Sequence, residues 1–274
     1  RGLRHLTIAL GSDGLADLAA YHWLFLLAAA PCVGSFLGVL VARLPEDRPV
    51  VFARSACPHC GVTLGWRNLI PIFSWVVQGS RCHACGARLS WRYPAIELAA
   101  LVIAAWSLAV TPGWIAWAGA LLGWSLLVLT LIDLEHLILP NEITLPLIPA
   151  GLAVIWAIDP SRVAQHALGA AAGFVFVVVL RWVYGKIRGR EGIGLGDAKL
   201  LAVAGAWVSW EGLPGLILLA AVAALAVNGA RAVLSKRVGW SDEFPFGPFL
   251  AAGLWLTWLY GPISLGGSIT IGSQ

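Results

Sequence analysis

Charge is scarce in this sequence. Asp, Glu, Lys and Arg make up 12% of its 274 residues, about half the share in a typical soluble domain, so an all-round water-facing surface is excluded. Methionine is absent, whereas tryptophan occurs 15 times, and no physical rule read from the sequence explains that imbalance. No segment repeats with a period of 20–50 residues, which excludes a solenoid. The apolar runs are continuous rather than alternating, which argues against a β-barrel. No glycine-rich loop of the soluble nucleotide-binding kind is present, and nucleic acid is not an expected partner. What the chain has is apolar bulk: 59% hydrophobic residues and a mean hydropathy of +0.82, the composition of an integral membrane protein in a lipid bilayer. The sequence opens at Arg1, so a translational start upstream of it is expected.

Eight apolar segments are visible, at about 22–42, 95–111, 113–132, 142–158, 163–183, 198–210, 212–233 and 246–263. Pro and Gly punctuate them at "TPG" (111–113), "LPN" (139–141), "DPS" (159–161), "EGLPG" (211–215) and "GPI" (261–263), as they do where helices end. The first run continues into "VGSFLGVLVARLP" and is read as a retained span rather than a signal peptide. The expected fold is an all-α polytopic membrane protein with about eight transmembrane helices and a small metal-stapled loop domain. Three parts follow: an N-terminal segment and first helix (1–42), a cysteine loop (43–94) and a seven-helix membrane domain (95–274).

Basic residues orient the chain. The 43–94 loop holds Arg43, Arg48, Arg54, Arg67, Arg81, Arg88 and Arg92, and with eight spans the segments 184–197 and 231–245 share its side. Together with their edges these place 15 of the 18 Lys and Arg on one face, leaving Arg1, Arg4 and Arg162 on the other. That face is expected to be cytoplasmic, with both termini outside. Asp133, at the end of the third span, and Asp197, at the start of the sixth, then lie at the same cytoplasmic edge.

Four of the five cysteines form two C-x-x-C knuckles, Cys57/Cys60 and Cys82/Cys85, separated by 21 residues. This spacing suits one tetrahedral ion held by all four thiolates with no open position, hence a structural metal, expected to be zinc. On the cytoplasmic side a disulfide is disfavoured, and a loop this small needs a staple. His59 and His83 are bystanders, because four thiolates complete the shell. Cys32, alone in an apolar run, is read as a packing residue.

Acids at membrane helix ends are functional candidates. Asp197 lies in "GIGLGDAKL", where a helix begins, with Gly194 and Gly196 removing side chains beside it so that another backbone can approach. Asp133 lies in "TLIDLEHLILPNEIT" at a helix end of opposite dipole sign. Two carboxyl groups in unlike surroundings are what an acid/base pair sharing one proton requires. Lys199, about 200° around the helix from Asp197, is expected to reach the interface instead.

These segments resemble the type IV prepilin peptidases, the GxGD membrane aspartyl proteases, in order and along nearly the whole chain. "GSFLGVLVARLP" (34–45) is similar to the family's opening, "RYPAIE" (92–97) to the end of its zinc loop, "IDLEHLILPNEIT" (132–144) to its first aspartate motif, "GLGDAKLLAVAGAW" (194–207) to its GxGD motif and "FPFGPFLAAG" (244–253) to its final span. Departures are Gly38 for the family's frequent Asn, Asn141 for its Asp, and Ser80-Arg81 for the Gly-Lys ahead of the third Cys. The resemblance implies that Asp133 and Asp197 are catalytic and that Gly194 and Gly196 give the substrate backbone access. It implies cleavage of the basic leader of type IV prepilins or type II secretion pseudopilins, after Gly, at the cytoplasmic face of the inner membrane. It also implies N-methylation of the new N-terminal residue with S-adenosyl-L-methionine, for which Glu97, Arg67 and Asn68 are candidates.

"GALLG" (119–123) and "GAAAG" (169–173) suit close helix packing, with a homodimer as the other use. Trp23, Trp114, Trp182 and Trp210 suit an interfacial belt. His136 is read as a loop or supporting residue, and Asp242 and Glu243 as a solvated loop or a contact for the basic leader. The rival readings are a peptidase without methyl transfer, a non-enzymatic metal-stapled scaffold or transporter, and a thiol oxidoreductase.

Overall fold

The computed structural model describes residues 21–50, 56–57, 59–63, 75, 80–189, 194–235 and 244–262. Its helices are α1 (His22–Arg43), followed by a 3-10 turn at Leu44–Glu46, α2 (Arg92–Val110), α3 (Ile115–His136), α4 (Asn141–Ile158), a 3-10 turn at Pro160–Arg162, α5 (Val163–Arg188), α6 (Leu195–Ser235) and α7 (Gly247–Tyr260). No strand occurs among the described residues, only isolated bridges at Ala56/Thr63 and Arg81/Arg88. Among the described residues, every apolar segment read from the sequence is helical over most of its length. Among the described residues six helices are long and apolar enough to cross a membrane. The 41-residue α6 carries two of the segments, and α7, at 14 residues, is shorter than a full crossing. The chain divides into two compact units, one comprising 1–39 with 51–120 and the other 40–50 with 121–274.

In the first unit α1 and α2 meet where side chains are missing. A Cβ on Gly34 would come within 2.6 Å of the Glu97 Cα, so only glycine allows this crossing. Leu26, Ala30 and Leu37 of α1 and Ile96, Ala100 and Ala104 of α2 are buried. Cys32, by contrast, is exposed on α1 rather than packed, because the α1 face that is buried runs through Leu26, Ala30 and Leu37, and Cys32 falls off that stripe. The "TPG" break turns on Gly113 (φ 60°), and the buried Ser107 hydroxyl donates to the Ala116 carbonyl at 2.8 Å across it.

In the second unit α6 is the hub, packed against α5, α7 and α4. The "GAAAG" glycines face it: a Cβ on Gly169 would lie 2.6 Å from the Trp210 nitrogen, and one on Gly173 2.5 Å from the Leu201 carbonyl. Gly205 answers from α6, where a Cβ would enter the Gly169 backbone. The close-packing reading of this motif therefore holds, and α6 already fills the face a homodimer would use. Gly151 of α4 makes room for the Trp207 ring, whose Nε1 donates to the Leu147 carbonyl at 2.9 Å.

The break between the sixth and seventh segments falls at Ser209 (φ 64°, ψ 172°) rather than at "EGLPG", and the helix continues through Pro214. His166 of α5, buried, places Nδ1 3.1 Å from the Ala206 carbonyl beside this kink. Across "DPS" the Asp159 carboxylate accepts from the Ser161 hydroxyl at 2.6 Å and its N–H at 3.0 Å. Those bonds hold the carboxyl below the usual carboxylate range.

Candidate active site and metal centre

The acid pair is assembled within the second unit. Asp133 sits in the last turn of α3. The helix stops four residues later because Leu137 adopts a left-handed conformation (φ 56°), its N–H returning to the Asp133 carbonyl at 3.0 Å. A bulky residue there is strained. Pro140 then sends the chain into α4. Asp197 sits in the first turn of α6. Both line one cavity of about 830 Å³. Its walls include Phe176, Leu180 and Arg181 from α5, Leu137–Leu139 from the turn, and Phe244, Pro245 and Phe246 ahead of α7.

Asp133 is buried and its Oδ2 accepts a hydrogen bond from the Gly247 N–H at 3.1 Å. Asp197 is half-buried. Gly194 and Gly196 line the same cavity. A Cβ on Gly194 would lie 3.7 Å from the Asp197 Oδ2, whereas one on Gly196 would meet the Leu139 side chain at 3.1 Å, so Gly196 also serves the packing of the turn. Lys199 lines the cavity as well and donates to the Asn141 Oδ1 at 2.6 Å, tying the starts of α6 and α4 together. His136 ends α3, exposed, with Nε2 3.9 Å from the Glu135 carboxylate. Gly247 was missed as a site residue by sequence reasoning. "FPFGPFL" marks a helix start, but nothing local says that a carboxylate 114 residues away receives its N–H.

The cysteines meet in the first unit. Cys57, Cys60, Cys82 and Cys85 place their sulfurs within 4.8 Å of one another, with Cys57–Cys85 at 3.9 Å and Cys60–Cys82 at 4.0 Å. A tetrahedral ion with metal–sulfur bonds of about 2.3 Å wants sulfurs about 3.8 Å apart, so the cluster fits a metal ion. The two knuckles are built alike. Cys57 N–H donates to the Val62 carbonyl and Gly61 N–H returns to Cys57; Cys82 does the same with Ala87, and Gly86 with Cys82. Gly61 and Gly86 both have φ near 70°, so the glycine after each second cysteine is part of the pattern. Backbone N–H groups of Cys85 and Ala84 bring the Cys82 thiol down to about 6. The Ala87 N–H favours the Cys85 thiolate too, but desolvation and the sulfurs of Cys60, Cys82 and Cys57 outweigh it and push Cys85 up to about 11. Deprotonated together, four sulfurs at this spacing could hold a cation between them. None of the five cysteines is disulfide-bonded, and His59 and His83 are exposed.

Two family profiles match the chain: the bacterial peptidase A24 N-terminal domain over residues 28–111 and the type IV leader peptidase family over residues 120–228. A prepilin leader peptidase/N-methyltransferase of Burkholderia pseudomallei (strain 1026b) is 40% identical over 86% of this chain and 85% of its own length. This chain belongs to the type IV leader peptidase family. Relatives with the same name in Aeromonas hydrophila and Pseudomonas aeruginosa are 36% and 35% identical, each over 84% of this chain and 87% of their own. No solved structure matches the chain. The N-terminal match contains the four cysteines and Glu97, the leader-peptidase match contains Asp133 and Asp197, and Gly247 lies beyond both. The leader-peptidase match begins at residue 120, next to the 120/121 break between the compact units, whereas the N-terminal match also takes in 40–50 of the second unit. Of the methyl-transfer candidates, Glu97 is buried on α2, while Arg67 and Asn68 lie outside the described residues, as do Asp242 and Glu243.

Proposed function

We propose that this member of the family is a membrane aspartyl endopeptidase acting at the cytoplasmic face of the bacterial inner membrane. Its substrates are type IV prepilins or type II secretion pseudopilins, cut after the Gly that ends a basic leader. The observation that carries the reading is the placement of Asp133 and Asp197, from helix ends 64 positions apart in sequence, on one largely apolar cavity. With one proton between them, the ionised carboxyl takes a proton from water as its oxygen attacks the scissile carbonyl carbon. The protonated one donates to the carbonyl oxygen. The resulting diol collapses, the C–N bond breaks, a proton passes to the leaving amine, and the pair again holds one proton. Gly194, exposed at the cavity edge, leaves room for an extended backbone beside Asp197. A substrate whose leader is cytoplasmic and whose following residues form a membrane helix presents its cut site at this depth, and the clustering of basic residues on one side of the chain supports that orientation.

The cysteine cluster holds zinc as a structural ion, consistent with four thiolates and no open position. The names of the relatives support a second activity, N-methylation of the new N-terminus, in which S-adenosyl-L-methionine supplies the methyl group. Glu97, Arg67 and Asn68 are its candidate residues. The test is cleavage of a model prepilin by purified protein in lipid, comparing wild type with Asp133→Asn and Asp197→Asn. Cleavage by wild type and by neither folded variant is expected. Full activity in either variant rejects the acid pair, and an inactive, folded, metal-loaded wild type favours the scaffold or transporter reading.

A further inference from the structure

The first turn of α7 offers unusually few backbone donors. Pro248 has no N–H, and the N–H groups of Phe249 and Leu250 both return to the Phe246 carbonyl, at 3.1 and 3.2 Å. The Gly247 N–H is left over, one of the groups that a helix start cannot satisfy internally. It donates to the Asp133 Oδ2 at 3.1 Å, in a buried contact. The fit is also steric. A Cβ on Gly247 would lie 2.6 Å from that same Oδ2 and 3.1 Å from the Asp133 Cγ. No other residue type places its N–H there without displacing the carboxyl.

We propose that Gly247 is a positioning residue for the acid pair: its N–H fixes Oδ2 of Asp133, so that Oδ1 is the oxygen that exchanges the proton during cleavage. The carbonyl oxygen of a carboxylic acid accepts an N–H better than its hydroxyl does, so the bond from Gly247 to Oδ2 favours Oδ1 as the place of the shared proton whenever it resides on Asp133. The orientation of Asp133 is thus set by α7, not by its own helix. This inference rests on the peptidase reading for its kinetic consequence, but the contact itself does not.

The experiment has two arms. In the first, cleavage is measured for wild type, Gly247→Ala and Gly253→Ala. The last adds a methyl to the same helix six residues on, where it would meet the Leu216 carbonyl at 3.2 Å, away from the acids. Gly247→Ala is expected to lose about 100-fold in kcat with KM within about threefold, as for a misplacement of roughly 1 Å at a reacting group, while Gly253→Ala stays near wild type. Wild-type kcat in Gly247→Ala, or equal losses in both variants, overturns the proposal, the second by showing that α7 packing alone is at work. The second arm reads the contact without activity. Phe246–Gly247 is the one Phe-Gly pair in the sequence, so carbonyl-labelled Phe with 15N-Gly isolates its amide resonance. In Asp133→Ala that resonance is expected to move and its hydrogen exchange to quicken; an unchanged signal overturns the proposal even where Gly247→Ala does not fold. An inactive wild type, or an active Asp133→Asn, would instead reject the peptidase reading and leave the second arm to decide the contact.

Discussion

The cysteine cluster and the acid cavity are opposite solutions to placing reactive groups. Each cysteine knuckle closes within a few residues, with two backbone hydrogen bonds and a left-handed glycine at the same position. The two copies then need only one another to bring four sulfurs together. The acid cavity has no such local closure. It draws Asp133 from the end of α3, Asp197 from the start of α6, and a donor from the start of α7, and none of these is near another in sequence. The first is held by covalent spacing and local hydrogen bonds in an arrangement that could hold a metal ion, the second by helix packing. That packing rests on absent side chains, Gly169 and Gly173 against Gly205 and Leu201, which bring α5 and α6 into backbone contact. Damage to one construction therefore ought to leave the other standing.

The largest expected effect is at the acids. Asp133→Asn and Asp197→Asn should each lower cleavage by about 1,000-fold or more, as expected for loss of a general acid or base, with thermal stability and bound metal unchanged. A variant that also lost its metal would join the two regions that this comparison separates. Next is Gly205→Ala. Its methyl must enter the Gly169 backbone, where no flexible side chain can yield, and a loss of about 3 kcal/mol of stability is expected, read as the midpoint shift in a thermal or denaturant melt in detergent. Retained stability would mean that α5 and α6 are not held by this contact.

Metal removal should act the other way round. A chelator, or Cys82→Ser, should open the loop to limited proteolysis while cleavage falls by less than about tenfold. Because thiolates rather than thiols bind the ion, metal retention should also fall as pH is lowered. The smallest effect is expected for Lys199→Ala. Its hydrogen bond to Asn141 is exposed, so about 0.5–1 kcal/mol at most is at stake, visible as a slight loss of stability with near-normal kcat.

Much of this protein is legible in its sequence. The apolar segments became helices because runs of that length and composition satisfy their own backbone only as helices in a bilayer. The four-cysteine set followed from spacing alone, since two knuckles of four residues each fix their sulfurs locally. Asp133 and Asp197 stood out as acids at helix ends in a chain poor in charge, and the "GAAAG" stripe announced a close helix contact without naming the helix that meets it. Less could be read where the deciding neighbour is distant. Cys32 lies in an apolar run but on the outward side of α1, because composition does not set which stripe of a helix is buried. The break in α6 came at Ser209 instead of at the nearby Gly and Pro, beside a carbonyl that His166 of another helix partners.

The sequence by itself determined the helices and singled out the two cysteine knuckles and the two acids as candidates, all of which depend on residues within one segment. Only the tertiary structure decided that the acids share a cavity, that Leu139 lies against Gly196, and that Asp133 takes its hydrogen bond from Gly247. Each of these joins residues 57 to 114 positions apart. No local rule of spacing or propensity reaches that far; the packing of α4, α5 and α7 around α6 does.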